Sequence, residues 1–173
     1  GTKLTSTVGL SEAALESVVY AGQAHARMLP AGEGETAFRR GYFIGDGTGA
    51  GKGREVAGII ADNINQGRTR HVWISQKQNL INDARRDWRD LGMDPATLHH
   101  FDEIRGKNPP KEGGMFITYD TLKSGPKDKT QPQNIDTLVN WLGKDFDGVV
   151  AFDESHGMGN ALDSDGERGS KKA

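Results

Sequence analysis

The sequence predicts an α/β domain built on a mostly parallel sheet with helices against it. Three observations carry this. Short β-branched and aromatic runs alternate with amphipathic segments of helical period; residues 45–53 place five glycines directly behind one such run; and a later apolar run ends in paired carboxylates, Asp153-Glu154. In parallel sheets ligands bind at the carboxyl ends of the strands, and both unusual segments fall at that edge.

Ser11 is a cap for a first helix, whose face carries Leu15, Val18, Val19, Gly22, Ala26 and Leu29 at three- and four-residue steps. Pro30-Ala31-Gly32 ends it. Residues 41–44, Gly-Tyr-Phe-Ile, read as a buried strand entering the glycine loop. The helix that follows presents Val56, Ile59, Ile60 and Ile64 and stops at Gly67. Residues 71–75 form the next strand. A helix comes after it with Leu80, Ile81, Ala84, Trp88 and Leu91 inward and Gly92 at its end; Asp83, Arg85, Arg86, Asp87, Arg89 and Asp90 form its solvated, salt-bridged face.

Short strands are expected at 97–101 and 115–119, with a polar loop between them, and 124–133 reads as an exposed loop. Ile135, Leu138, Val139 and Leu142 mark one face of a further helix. Residues 148–152 are a continuous apolar strand, read as buried, and the stretch after Met158 is expected to be loop. The division expected is a helical lead-in at 1–38, a core at 39–158 and a tail at 159–173. An opening Gly-Thr-Lys without Met is read as the start of an excerpt from something longer.

Composition removes several classes. The 173 residues amount to one domain. Leu, Ile, Val and Phe make up about a fifth of the chain, so the core is thin, but a net charge of −2 argues for folding rather than disorder. There is no run long enough to span a membrane and no signal peptide at the start. Zero cysteines exclude disulfides, a thiol nucleophile and Cys-ligated zinc. With 22 basic and 24 acidic residues the chain lacks the basic excess of a free-standing nucleic-acid binder, although Arg68, Arg70 and Lys77 are candidates for a local patch. His99 and His100 have no metal-ligand partner at suitable spacing.

The glycine loop has a mechanism. Inward-turned backbone N–H groups bind phosphate, glycine permits the positive φ angles, and a helix beginning there adds its dipole. Strand, loop, Lys52 and helix follow in the order of a phosphate-binding P-loop, so Asp46, Gly47, Thr48, Gly49, Ala50, Gly51, Lys52 and Gly53 are candidate nucleotide-binding residues, with Arg54 as a further phosphate contact. Against G-x-x-x-x-G-K-[ST], Asp46 replaces the first glycine and Gly53 the final hydroxyl residue. A flexible turn with an incidental lysine, or a dinucleotide-binding turn, is the alternative reading.

A P-loop requires a second, acidic site. Asp153 is placed to order Mg²⁺ and Glu154 to orient the attacking water, with His156 close enough in sequence to couple to the γ-phosphate. Taken alone, an Asp after an apolar strand also reads as a helix cap.

These residues resemble motifs I and II of superfamily 2 helicases, residues 153–156 being a DEAH box with Ser155 for alanine. Longer strings, residues 10–16 with Val19-Tyr20-Ala21 and then 40–54, resemble the strawberry notch helicase-like family, whose loop reads GDGxGxGKGR. Residues 72–75 with 79–92, and 117–122, resemble its next segments. Ala14 stands where the family has glutamine.

The resemblance implies a RecA-like P-loop NTPase fold cut off after motif II, ATP and Mg²⁺ as ligands, and a nucleic-acid-dependent motor acting on DNA. It implies a second RecA-like domain elsewhere that brings arginine fingers, and in some members a fused methyltransferase. Ser75, Gln76, Lys77 and Thr118 fall at positions that touch the nucleic-acid backbone in related motors. An intracellular location is expected, cytoplasmic for a bacterial or phage source, and a lone first domain is expected to hydrolyse ATP very slowly. A non-hydrolysing nucleotide-binding scaffold and a small-molecule phosphotransferase are the competing functions.

Overall fold

The computed structural model describes residues 12–30, 32, 37, 39–44, 51–126 and 130–153. Strands β1 (Arg70–Ser75), β2 (Leu98–His100), β3 (Gly113–Thr118) and β4 (Val150–Phe152) make one sheet in the order β2-β3-β1-β4. All three pairings are parallel. Parallel neighbours require crossovers: α3 (Ile81–Asp90) connects β1 to β2, and α4 (Tyr119–Lys123) with α5 (Asn134–Leu142) connects β3 to β4, while α1 (Glu12–His25) and α2 (Lys52–Asn65) precede β1.

The two central strands, Arg-His-Val-Trp-Ile-Ser and Gly-Gly-Met-Phe-Ile-Thr, are near-continuous apolar runs because both faces of the sheet are covered. Alternation along each strand sorts the core into two halves. Trp73 and Phe116, register partners with ring centroids 6.4 Å apart, face α1, α2 and α3 together with Val18, Ile60 and Trp88. Val72, Ile74, Met115 and Ile117 point the other way, to Phe101, Tyr119 and Leu138. Trp88 is wholly buried and still satisfies its indole N–H, which donates to Thr97 Oγ1 at 3.1 Å.

The buried His71 joins two elements. Val149 N–H donates to its Nδ1 at 3.1 Å, so Nε2 carries the proton and donates to the Arg68 carbonyl at 2.8 Å. That pattern needs the neutral ring, and burial pushes the imidazole below its ordinary value, the Arg68 carbonyl pulling the other way.

Several sequence expectations are corrected. Residues 41–44 form no strand, and Phe43 is 83% exposed. The backbone leading into them pairs instead with the end of α1, through Arg40 N–H to Arg27 O and an antiparallel bridge between Met28 and Arg39. The buried strand expected at 148–152 is, among the described residues, an edge strand paired with β1 alone, and Phe152 is 54% exposed. On α1, Ala14, Val18 and Ala21 are buried while Val19 and Leu29 are exposed; on α2, Ile64 is exposed.

In α5 the inward residues are Asn134 and Leu138, with Trp141 and Leu142 half-buried. Ile135 and Val139 face solvent. Two hydrogen bonds rotate the helix this way: Trp141 Nε1 donates to Pro110 O at 2.7 Å, and Asn134 Nδ2 donates to Thr121 O at 2.7 Å, closing the end of α4. Ser11 and residues 159–173 lie outside the described residues. No helix among those described is long and apolar enough to cross a membrane.

Candidate nucleotide site

Residues 66–69 link the end of α2 to the start of β1, so α2 runs back along the sheet for about 21 Å at about 1.5 Å per residue. Its first turn therefore lies toward the carboxyl edge, and a side chain at Gly53 would reach the Trp73 indole. Gly51 caps the helix at φ 84°, ψ 22°, the left-handed conformation that favours glycine. Lys52 and Gly53 open the helix, and the buried carboxyl of Glu55 sits in the same turn, where the helix dipole favours negative charge. Of the predicted phosphate loop, Gly51, Lys52, Gly53 and Arg54 are described; Asp46, Gly47, Thr48, Gly49 and Ala50 lie outside the described residues, as do Glu154 and His156.

Asp153 stands where β4 ends, beside the end of β1. Its N–H donates to Ile74 O at 2.8 Å, its carbonyl accepts from the Tyr119 hydroxyl at 3.0 Å, and its Oδ2 accepts from Ser75 Oγ at 3.4 Å. Three strand ends thus converge on one residue: β1 through Ser75 on its carboxylate, β3 through Tyr119 on its backbone carbonyl, and β4 itself. Magnesium takes oxygen donors, keeps several waters and is usually held by one or two carboxylates plus substrate phosphates. The half-buried Asp153 with a hydroxyl beside it fits that chemistry. No group of three His, Asp or Glu gathers as a metal cage among the described residues.

The other predicted residues separate. Ser75 is wholly buried, and its hydroxyl addresses Asp153 rather than solvent. Thr118, also buried, caps α4 by accepting from Thr121 N–H at 3.1 Å. Gln76 is half-buried and Lys77 exposed, just beyond β1. The patch read from Arg68, Arg70 and Lys77 is not formed, since β1 places Arg70 and Ser75 about 17 Å apart at about 3.3 Å per residue. Arg68 donates to Asn63 Oδ1, and Arg70 to the carbonyls of Lys111 and Leu142. His100 caps the turn at Phe101–Arg105, and His99 bonds Glu103 Oε2 at 3.0 Å. A polar cleft of about 190 Å³ at Thr69–Arg70 and 142–147 lies at the amino edge of the sheet, away from Asp153.

Two residues of the carboxyl edge escaped the sequence reading. Tyr119 was taken only as the end of a strand, and no spacing rule links it to Asp153. Asp87, placed on the solvated face of its helix, is buried beside Gly53; the missing side chain at position 53 was the available signal.

Comparison with known proteins places the chain in a family. The family model described as P-loop containing NTP hydrolase pore-1 matches residues 1–173. The chain is 40% identical over 172 residues to the protein strawberry notch homolog of Caenorhabditis elegans, covering 94% of this chain and 9% of that protein. It is 41% identical over 158 residues to the human protein strawberry notch homolog 1, covering 85% and 11%. To the protein FORGETTER 1 of Arabidopsis thaliana it is 38% identical over 173 residues, covering 96% and 13%. The chain thus spans about a tenth of the length of the curated relatives it matches. No solved structure matches it.

Proposed function

The chain belongs to the P-loop containing NTP hydrolase pore-1 family, and from that premise we propose that it is the ATP-binding part of a nucleic-acid-dependent motor of the strawberry notch kind. The observation that carries the reading is the convergence of Ser75 and Tyr119 on Asp153, at the sheet edge toward which Lys52 opens α2.

Lys52 and the amide groups of the 46–53 turn hold the β- and γ-phosphates of ATP, and Arg54 lies one residue further along the same turn. Asp153 holds Mg²⁺, with Ser75 and Tyr119 fixing the orientation of that residue. When bound, the ion neutralises charge developing on the transferred phosphoryl group. Glu154 orients the attacking water and His156 couples the γ-phosphate to the rest of the motor. A second RecA-like domain supplies arginine fingers, which in related phosphoryl transfer contribute about 10³–10⁵ in rate. Nucleic acid, DNA in this reading, runs over the carboxyl edge. Because Ser75 and Thr118 are turned inward, Gln76 and Lys77 are the residues left to meet its backbone.

Calorimetry with ATP and Mg²⁺ tests the first half. The protein binds and Lys52→Ala does not; in the full-length protein Glu154→Gln binds but no longer hydrolyses. Binding that survives Lys52→Ala refutes the phosphate-loop assignment. Hydrolysis undiminished in full-length Glu154→Gln refutes the water-positioning role, and a full-length protein that binds ATP with no hydrolysis under any nucleic acid leaves a scaffold. Turnover well above background by this segment without a partner domain refutes the two-domain motor.

A further inference from the structure

Position 53 departs from the phosphate-loop pattern, since glycine stands where a serine or threonine hydroxyl would be expected. The structure supplies a physical reason. A Cβ built on Gly53 would collide with Asp87 Oδ2 and lie 3.4 Å from Asp87 Cγ, so this carboxylate occupies the room that a side chain at 53 would take. Asp87 belongs to α3, is 9% exposed, and sits on the side of the helix that charge alternation assigned to solvent.

The carboxylate is also anchored. Arg54 Nε lies 3.6 Å from Asp87 Oδ1, and Arg54 Nη2 donates to Asp90 Oδ2 at 2.9 Å, so one guanidinium ties the first turn of α2 to two successive turns of α3. Arg86 Nε lies 3.9 Å from the same Oδ1. Rotating the carboxylate away to admit a side chain at 53 would break its contact with the half-exposed Arg54.

We infer that Asp87 is a positioning residue for the phosphate-binding turn. Its carboxylate takes the place of the side chain missing at Gly53 and, through Arg54, fixes the turn that carries Lys52. Glycine at 53 and aspartate at 87 are then one unit, and changing either alone displaces Lys52 from the phosphates. This rests on the nucleotide-binding reading above.

The test is a cycle in the intact protein: Gly53→Ser, Asp87→Ala, Asp87→Asn and Gly53→Ser/Asp87→Ala. ATP–Mg²⁺ affinity is measured by calorimetry at a temperature where melting curves show every variant folded, so loss of fold does not enter. Each single variant weakens binding about tenfold, the scale on which outer partners of ligand-holding groups act. The double variant returns to within about threefold of native, because the serine then fills the vacated room and the two changes are not additive. Asp87→Asn keeps the volume and removes the charge, so it separates anchoring from packing. Native affinity in both Asp87 variants, or a double variant no better than the weaker single, overturns the inference while Lys52→Ala still abolishes binding. Native protein that binds no ATP overturns the nucleotide reading and this inference with it.

Discussion

Ser75 Oγ and Asp153 Oδ2 lie 3.4 Å apart at the ends of two paired strands, β1 and β4. The contact is long for an O–H···O hydrogen bond, so it orients the carboxylate without holding it rigidly. The serine itself is wholly buried, which fixes the hydroxyl in one place.

Removing that hydroxyl should leave the fold standing and disturb the ion. Ser75→Ala is expected to cost about 1 kcal/mol of stability and to raise the Mg²⁺ concentration for half-maximal ATP binding about tenfold. A magnesium titration of ATP binding, with an unfolding curve beside it, checks both. An unchanged magnesium requirement would reduce Ser75 to packing.

Stability should fall on mild acidification, and His71 contributes to this, as does His25, whose pKa burial also lowers. The folded-state affinity of His71 for a proton is depressed by burial, while in the unfolded chain it returns to about 6.5. The unfolded state therefore binds more protons as pH drops below about 6.5, and the His71 contribution, complete above that value, is lost as pH falls toward the folded pKa. Urea midpoints at pH 7.5 and 5.5 should differ for the native protein and differ less for His71→Gln. Equal pH dependence in the two would show that another group is responsible.

The helix α5 separates two neighbouring apolar residues that the sequence treats alike. Leu138 is buried and Val139 is 55% exposed. Leu138→Ala should cost about 2–5 kcal/mol, and Val139→Ser should stay within about 0.5 kcal/mol. Denaturant midpoints decide; a large cost at Val139 would rotate the helix back to the face the sequence suggests.

Close packing on the other face of the sheet gives a fourth expectation. A Cβ on Gly114 would meet Leu98 Cδ1 and Trp88 Cη2, each at 2.8 Å. Gly114→Ala should destabilise by about 1–3 kcal/mol through overpacking, seen as a lowered melting temperature and altered Trp88 fluorescence.

The elements that were legible in the sequence are those whose pattern reports a single environment. β1 and β3 are apolar throughout because helices cover both sides, and α3 shows its core stripe of Ile81, Ala84, Trp88 and Leu91 at helical spacing. Gly51 was legible as a glycine with positive φ just before a helix, a conformation that a side chain would strain. The misreadings share a cause: the same residue types serve in more than one setting. Residues 41–44 have strand composition but form no strand; the backbone just before them, at Arg39 and Arg40, pairs with Met28 and Arg27. β4 is as apolar as a central strand yet, among the described residues, has a partner on one side only. Asp87 matches its charged neighbours in sequence and differs from them only through what α2 presents to it. The buried hydroxyls of Ser75 and Tyr119 could not be assigned to Asp153 without the strand order, which periodicity does not contain.

The parallel topology also governs when the site comes into being. Ser75 and Asp153 are 78 residues apart, and β1 receives its second neighbour only when β4 is available. During synthesis α2, β1, α3, β2 and β3 can already close their shared core while the ribosome is still adding α5. Contacts of such long sequence separation form late, because loop closure must precede them. On the proposed reading, the turn that would hold phosphate therefore forms before the carboxylate that would hold its counter-ion.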